Sequence, residues 1–190
     1  RLRQLSWVLG SFAAVEPATN HAVTAYTAND PGADNVEFAT QNPISLPSAT
    51  GRFVTFSVDT AAVNCFVSAP AYNFSIVSGA TTTPVGGTVD ACAGGQTIQA
   101  PAVGGTPAGD IHVGTYTSNG SVLITGSSLG LRMTNANGSG VGNDAAFDNI
   151  KILDVTPQLD KSFSPTTVEV GDISTLTLTV TNTSELAAKD

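Results

Sequence analysis

The sequence predicts an all-β protein, a sandwich of short antiparallel strands with a second, unfinished β-unit behind it. Three observations carry this. Apolar residues recur at every second position in short runs, the period of a strand with one buried face. Turn residues interrupt these runs at close intervals, with 19 Gly and 10 Pro in the chain. Charged residues make up only 12%, about half the usual ~25% share. Thr, Ser, Asn and Gly must therefore cover the surface, and Thr suits the solvated face of a strand. Helix formers are sparse, and no amphipathic helical stretch is expected.

Taken in order, Trp7, Val8 and Leu9 are expected to begin the first strand. His21–Thr27 (HAVTAYT) is the next. Asn29-Asp30-Pro31-Gly32 is a turn signal, and Asn35–Thr40 (NVEFAT) follows it. A Pro-bounded loop then leads to Arg52–Thr60 (RFVTFSVDT), where Val54, Phe56 and Val58 face one way and Phe53, Thr55 and Ser57 the other. Tyr72, Phe74 and Ile76 repeat that pattern in AYNFSIVS. Residues 79–109 are rich in Gly, Thr, Pro and Ala, and only Gln96–Ala100 reads as a strand there. Asp110–Thr117 and Ser121–Gly126 flank Ser118-Asn119-Gly120, and Asn-Gly between strand-like runs predicts a hairpin. Leu129–Thr134 and Ala146–Val155 complete the first unit, with the polar loop NANGSGVGND between them.

Thr156-Pro157 ends that unit, giving boundaries of 1–156 and 157–190. Beyond it lie Gln158–Phe163, Thr166–Val170 and Ser174–Asn182 as strands. In the last, Leu176, Leu178 and Val180 alternate with threonines. About three strands cannot build a core alone, so the second unit is expected to be truncated or completed by a strand from a neighbour.

Several function classes recede on composition. With 190 residues, 41% of them hydrophobic, the chain can bury a sizeable core. Seven basic and 15 acidic residues give a net charge of −8. Nucleic-acid binding relies on Lys and Arg to displace counterions, so no nucleic-acid partner is expected. No run of about 18 apolar residues exists to span a membrane. The start RLRQLSWVLGSFAA has basic residues and an apolar run, but Gln4, Ser6 and Gly10 break it, against a signal peptide. Cys65 and Cys92 lie outside any CxxC pair, with only His21 and His112 to assist a zinc site. A Cys65–Cys92 bridge would close a loop of about 27 residues and requires an oxidising compartment. The alternative is two buried free thiols.

Two stretches resemble known families. Gly142, Asn143, Asp144, Ala146, Phe147, Asp148 and Ile150 match the closing-strand signature of extracellular jelly-roll domains, including MAM-like and carbohydrate-binding modules. Asn149 stands where that pattern has a second Asp. The run from Thr156, with Leu159, Asp160, Lys161, Ser164-Pro165, Val170-Gly171 and Thr181-Asn182-Thr183, resembles the start of a tandem Ig-like repeat of bacterial, especially actinobacterial, cell-surface proteins. The resemblance implies a jelly-roll-like β-sandwich followed by an incomplete Ig-like β-domain. It also implies a non-enzymatic structural or adhesive module, extracellular or attached to the cell wall, whose ligand is a surface glycan or protein. The alternative is a carbohydrate-binding module with a structural calcium site.

In such jelly rolls Ca²⁺ often sits near the closing strand, and the resemblance makes Asp148 a ligand. Calcium takes about six to eight hard oxygens. Asn143, Asp144 and Asp148, with Glu37 or Asp59 from distant strands, could supply them. Asp144 and Asp148 share parity on an extended strand, so they would converge only through a bulge. The alternative is that Asp144 caps a turn and Asp148 is hydrogen-bonded at the sheet end. No GxSxG, HExxH or P-loop occurs, and no enzyme is expected. Sugar-binding modules use aromatic platforms. Trp7, Tyr26, Tyr72 and Tyr116 are the only Trp and Tyr residues, and most sit at core-like positions. An exposed Tyr116 or Trp7 beside polar loops would favour sugar binding. Lys161 could crosslink to Asn182 through Asp160, as in some Ig-like stalks, or remain a solvated lysine.

Overall fold

Apolar rows of period two need a facing layer, and the chain supplies one by folding into two opposed antiparallel sheets. The computed structural model describes residues 1–25, 34–46, 51–65, 70–137 and 144–181. It begins with a helix, α1 (Leu2–Phe12), then β1 (Val23–Ala25), β2 (Asn35–Ala39), β3 (Ile44–Ser45), β4 (Arg52–Ala62), β5 (Ala71–Ser78), β6 (Thr81–Pro84) and β7 (Val89–Asp90). After them come β8 (Gln96–Ala100), β9 (Gly109–Thr117), β10 (Val122–Ile124), β11 (Ser128–Asn135), β12 (Ala145–Asp154), β13 (Gln158–Ser164) and β14 (Thr175–Thr181).

One sheet runs β1-β12-β4-β9-β8, with β10 also on β4. The other runs β2-β11-β5-β6, with β3 on β11 and β7 on β5. The protein is an all-β sandwich, as its alternation predicts. Val54, Phe56 and Val58 of β4 meet Tyr72, Phe74 and Ile76 of β5, Leu129, Leu131 and Met133 of β11 and Phe147 of β12. Ring centroids of Phe56 and Phe74 lie 4.7 Å apart, and those of Phe74 and Phe147 5.4 Å. Each such buried side chain contributes about 1.5–3 kcal/mol. Cys65 and Cys92 are joined by a disulfide, with Cα atoms 5.6 Å apart, and pack against this core.

The N-terminus departs from expectation. Residues 2–12 form a helix, where Trp7–Leu9 were expected to open a strand and no amphipathic helix was expected. Leu5, Val8 and Leu9 fall at i, i+3 and i+4 and make one buried stripe. That stripe covers an apolar patch on the outer face of the first sheet, formed by Ala61, Val63, Ala100, Ile111, Val113 and Ala146. The three residues that break the apolar run turn out to dock the helix. Gln4 is buried; its Nε2 donates to the carbonyls of Pro101 and Pro107 at 2.8 and 2.9 Å. The Ser6 hydroxyl donates to the Asn20 carbonyl. At Gly10 an added Cβ would stand 2.8 Å from the Asn20 Cβ, so only glycine admits this approach.

Other corrections follow from pairing. Asn119-Gly120 does not close a hairpin. β9 and β10 both run antiparallel to β4, against residues 57–62 and 52–54 respectively. Ser118 bridges the jog between them: its N–H donates to the Phe56 carbonyl at 2.8 Å and its Oγ accepts from the Phe56 N–H at 3.1 Å. Residues 79–109 hold β6 and β7 besides the expected β8, and the Pro-bounded loop before β4 holds β3. These short edge strands lack alternation to announce them. Thr166–Val170 is not a strand. Glu169 and Asp172 close a turn on each other, with Gly171 at φ 103°.

After β12 ends at Asp154, β13 and β14 pair in register from Gln158↔Thr181 to Ser164↔Thr175 and form a separate two-stranded sheet.

Candidate functional site

The expected calcium ligands Asp144 and Asp148 lie apart. Ala145 to Asp148 pair regularly with β4, so Asp144 and Asp148 sit four residues apart on an unbroken strand, about 13 Å. The irregularity in β12 lies after Asp148, before Lys151, where Asn149 adopts φ 52°. Asn tolerates that left-handed conformation better than most residues.

Asp148 stands directly opposite Asp59 across the strand pair, an arrangement that like charges disfavour. Amide and hydroxyl donors hold the pair. Asp148 Oδ1 accepts from the Asn149 N–H at 2.8 Å and Oδ2 from Asn20 Nδ2 at 3.1 Å. Asp59 Oδ1 accepts from the Thr115 hydroxyl at 2.6 Å and Oδ2 from Asn149 Nδ2 at 3.0 Å. An aspartate at position 149 would add a third carboxylate; asparagine supplies two donors instead. Each Asp148 oxygen thus accepts one N–H, from the backbone of Asn149 and from the Asn20 amide.

Glu37 stands on β2, and Asp144 immediately precedes β12. Burial raises both carboxyls above their ordinary range; for Asp144, the N-terminal amine and Arg1 pull partly back. The Tyr72 phenol is pushed well above its usual value, first by burial and then by the charges of Glu37 and Asp144. Asn143 lies outside the described residues. Among the described residues, no three acidic, His or Cys side chains converge on one point.

A third feature is a groove of about 270 Å³ where the chain crosses from β7 to β8. Thr88, Asp90, Gly95, Thr115 and Tyr116 line it, with Thr60 and Gly114 of the first sheet. Its wall depends on close backbone approach: a Cβ on Gly94 would fall 2.7 Å from the Val113 carbonyl carbon, and one on Gly114 2.8 Å from the Gly95 nitrogen. Asp90 caps the turn at Ala91–Ala93 by accepting from the Cys92 N–H at 2.8 Å, beside the disulfide. Tyr116 is half-buried, and its Oη accepts from the Gly87 N–H at 3.0 Å. The Gly-Gly pair at 94–95 was the sequence signal for this groove, but it does not say what it packs on. Trp7 is half-buried against the α1 cluster, and Tyr26 lies outside the described residues.

On the β13–β14 ribbon, Leu159, Lys161 and Phe163 share a face with Leu176, Leu178 and Val180, all exposed. Asp160, Ser162 and four threonines line the opposite face. Lys161 Nζ lies 5.9 Å from the Phe163 ring centroid, and Asn182 is outside the described residues. No α-helix of the described residues is long and apolar enough to cross a membrane.

Compared with known proteins, the chain matches no family model, no curated protein and no solved structure.

Proposed function

We propose that this chain is a non-enzymatic structural or adhesive module of a bacterial cell-surface or extracellular fibre protein. The observation that carries the reading is the β13–β14 ribbon. Among the described residues it has one polar face, one exposed, mostly apolar face that also carries Lys161, and two unpaired edges. Two strands are marginal alone in water, so such a ribbon calls for further strands, from the same chain or from a neighbour by β-strand addition. The Cys65–Cys92 bridge supports an oxidising location. Sedimentation across a concentration series tests the neighbour: self-completion gives concentration-dependent assembly that Leu178→Lys abolishes. A monomer at every concentration that also captures no exogenous ribbon-complementing strand removes the fibre reading. Labelling intact cells with a membrane-impermeant reagent tests the location, and a protected protein removes it.

The groove at Tyr116 favours a second reading, carbohydrate binding. Threonines, Asp90 and Tyr116 line it beside Val89 and Ala93, and no Lys or Arg does. That lining suits a neutral sugar unit and disfavours anions. A glycan array probed with the native chain and with Tyr116→Ala tests it. Absence of any sugar signal, or a signal unchanged in the variant, removes this reading.

A further inference from the structure

The groove between β7 and β8 is built from both sheets. Thr60, Gly114, Thr115 and Tyr116 belong to the first, and Val89 and Asp90 come from β7 of the second. β7 is secured to its own sheet. Val89 and Asp90 pair with Tyr72 and Ala71, and the Ala91 N–H donates to the Pro70 carbonyl at 3.3 Å. Val89 and Ala91 are buried. β8 is secured to the first sheet from Gln96 onward, opposite Val113. Residues 91–95 carry the chain from one sheet to the other, and Ala93, Gly94 and Gly95 of this crossing wall the groove.

Little in the crossing itself fixes its shape. Two consecutive glycines leave the backbone wide conformational freedom. Yet Gly94 lies against Val113 and Gly95 against Gly114, too close for a Cβ on Gly94 or Gly114. A segment this free needs an anchor outside itself, and the disulfide supplies one. Cys92 is the middle residue of the turn Ala91–Ala93, and Cys65 lies just past the end of β4, the strand that gives Thr60 to the groove. Cys92 also orients the carboxylate of the groove, since Asp90 Oδ1 accepts from its N–H at 2.8 Å. The ladders that make the sandwich, β4 with β12 and β9 and β5 with β11, contain neither cysteine. Both cysteines are half-buried at the edge of the core, within reach of a small reductant.

We propose that the Cys65–Cys92 bridge is a redox latch on the groove: it holds the 91–95 crossing and the Asp90 carboxylate in place, and reduction releases both while the sandwich stays folded. A sugar as the ligand rests on the carbohydrate reading above; the latch does not. The step is thiol–disulfide exchange. One thiolate of a dithiol reductant attacks a bridge sulfur, and its second thiolate resolves the mixed disulfide. The S–S bond breaks, Cys65 and Cys92 each gain one electron and one proton, and the reductant leaves as a cyclic disulfide. The loop between the cysteines, a separation of 27 residues, is then no longer closed. The crossing keeps its strand ends on the two sheets but loses its tie to β4, and Asp90 loses a fixed donor.

The test uses the full chain, oxidised and treated with dithiothreitol, and reads the latch without any ligand. Deuterium uptake is measured in a pulse short enough that β11 and β12 stay protected in the oxidised form. Reduction is expected to speed uptake at least tenfold across residues 91–95 and to leave β11 and β12 protected. The double variant Cys65→Ser, Cys92→Ser, which needs no reductant, is expected to match the reduced chain, and reoxidation of the native chain to restore slow uptake. Free glucose, galactose and N-acetylglucosamine are the binding probes, followed by saturation-transfer NMR. Any of them that binds the oxidised chain is expected to lose at least tenfold in affinity on reduction. Unchanged uptake across residues 91–95 overturns the proposal. Loss of protection in β11 and β12 as well overturns it, since the bridge is then a staple of the whole fold. A sugar whose affinity survives reduction also overturns it. If uptake rises as expected but no sugar binds the oxidised chain, the carbohydrate reading falls and the latch stands.

Discussion

In β4, Val54, Phe56 and Val58 project between two sheets and are at most 2% exposed. In β14, Leu176, Leu178 and Val180 hold the same alternating positions and remain 48–70% exposed. The local sequence rule is identical; what differs is the second layer. Alternation specifies that a strand has an apolar face, and burial of that face depends on what is placed opposite it. β4 has β5 and β11 across the core and α1 behind it. Among the described residues, the β13–β14 ribbon pairs only with itself.

The sharpest way to break this comparison is at its buried end. Phe147 touches Phe38, Tyr72 and Phe74. Phe147→Ala is expected to cost about 3–5 kcal/mol in denaturant unfolding, and a loss below ~1 kcal/mol would mean that the two sheets do not share this core. Next is the disulfide. Replacing Cys65 and Cys92 together by Ser is expected to cost about 3.5 kcal/mol by the chain-entropy relation for its loop, with the transition monitored by near-UV dichroism.

Gln4→Ala tests the layer behind β4. It strands the carbonyls of Pro101 and Pro107 and is expected to cost about 1–3 kcal/mol, with faster amide exchange across residues 100–111. Exchange unchanged there would mean that α1 covers the sheet without fastening it.

The junction between the two regions gives a smaller, pH-dependent effect. Burial raises the Asp154 carboxyl, but the hydroxyl and N–H of Thr156 and the Arg52 guanidinium outweigh it and hold the group below its ordinary value of 3.8. A carboxyl depressed in the folded state stabilises the fold above its unfolded pKa, and that contribution is lost as pH falls through the folded value. The pair is partly exposed to solvent and screened by it, so its worth is below about 1 kcal/mol. Asp154→Asn is expected to flatten the acid limb of the stability curve below pH 4 by that amount and leave pH 7–8 behaviour otherwise parallel. The smallest effect belongs to the ribbon: Leu178→Ala should shift the unfolding of the sandwich by under ~0.5 kcal/mol. A loss like that of Phe147→Ala would show that the ribbon is part of the same core.

Much of the sandwich is legible in the chain. The rows at Val54–Val58 and Tyr72–Ile76 are buried as their spacing predicts, and the two cysteines pair. Legibility fails where the deciding partner is remote. Gln4, Ser6 and Gly10 look like breaks in an apolar run because their partners, Pro101, Pro107 and Asn20, are invisible locally. Asn119-Gly120 carries a hairpin signal, yet both flanking strands find a better edge on β4. Asp148 can be named as an oxygen donor from sequence, but that Asn20 and Asn149 meet it is not visible there.

Residue order alone determined which faces of the core strands are apolar and that the chain is poor in charge, because these depend on side-chain type and the period of an extended backbone. Only the tertiary structure decided that residues 2–12 are helical and that Asp148 is held by Asn20 and Asn149. Those outcomes depend on long-range pairing and register, which bring together groups separated by about a hundred residues and which no local pattern encodes.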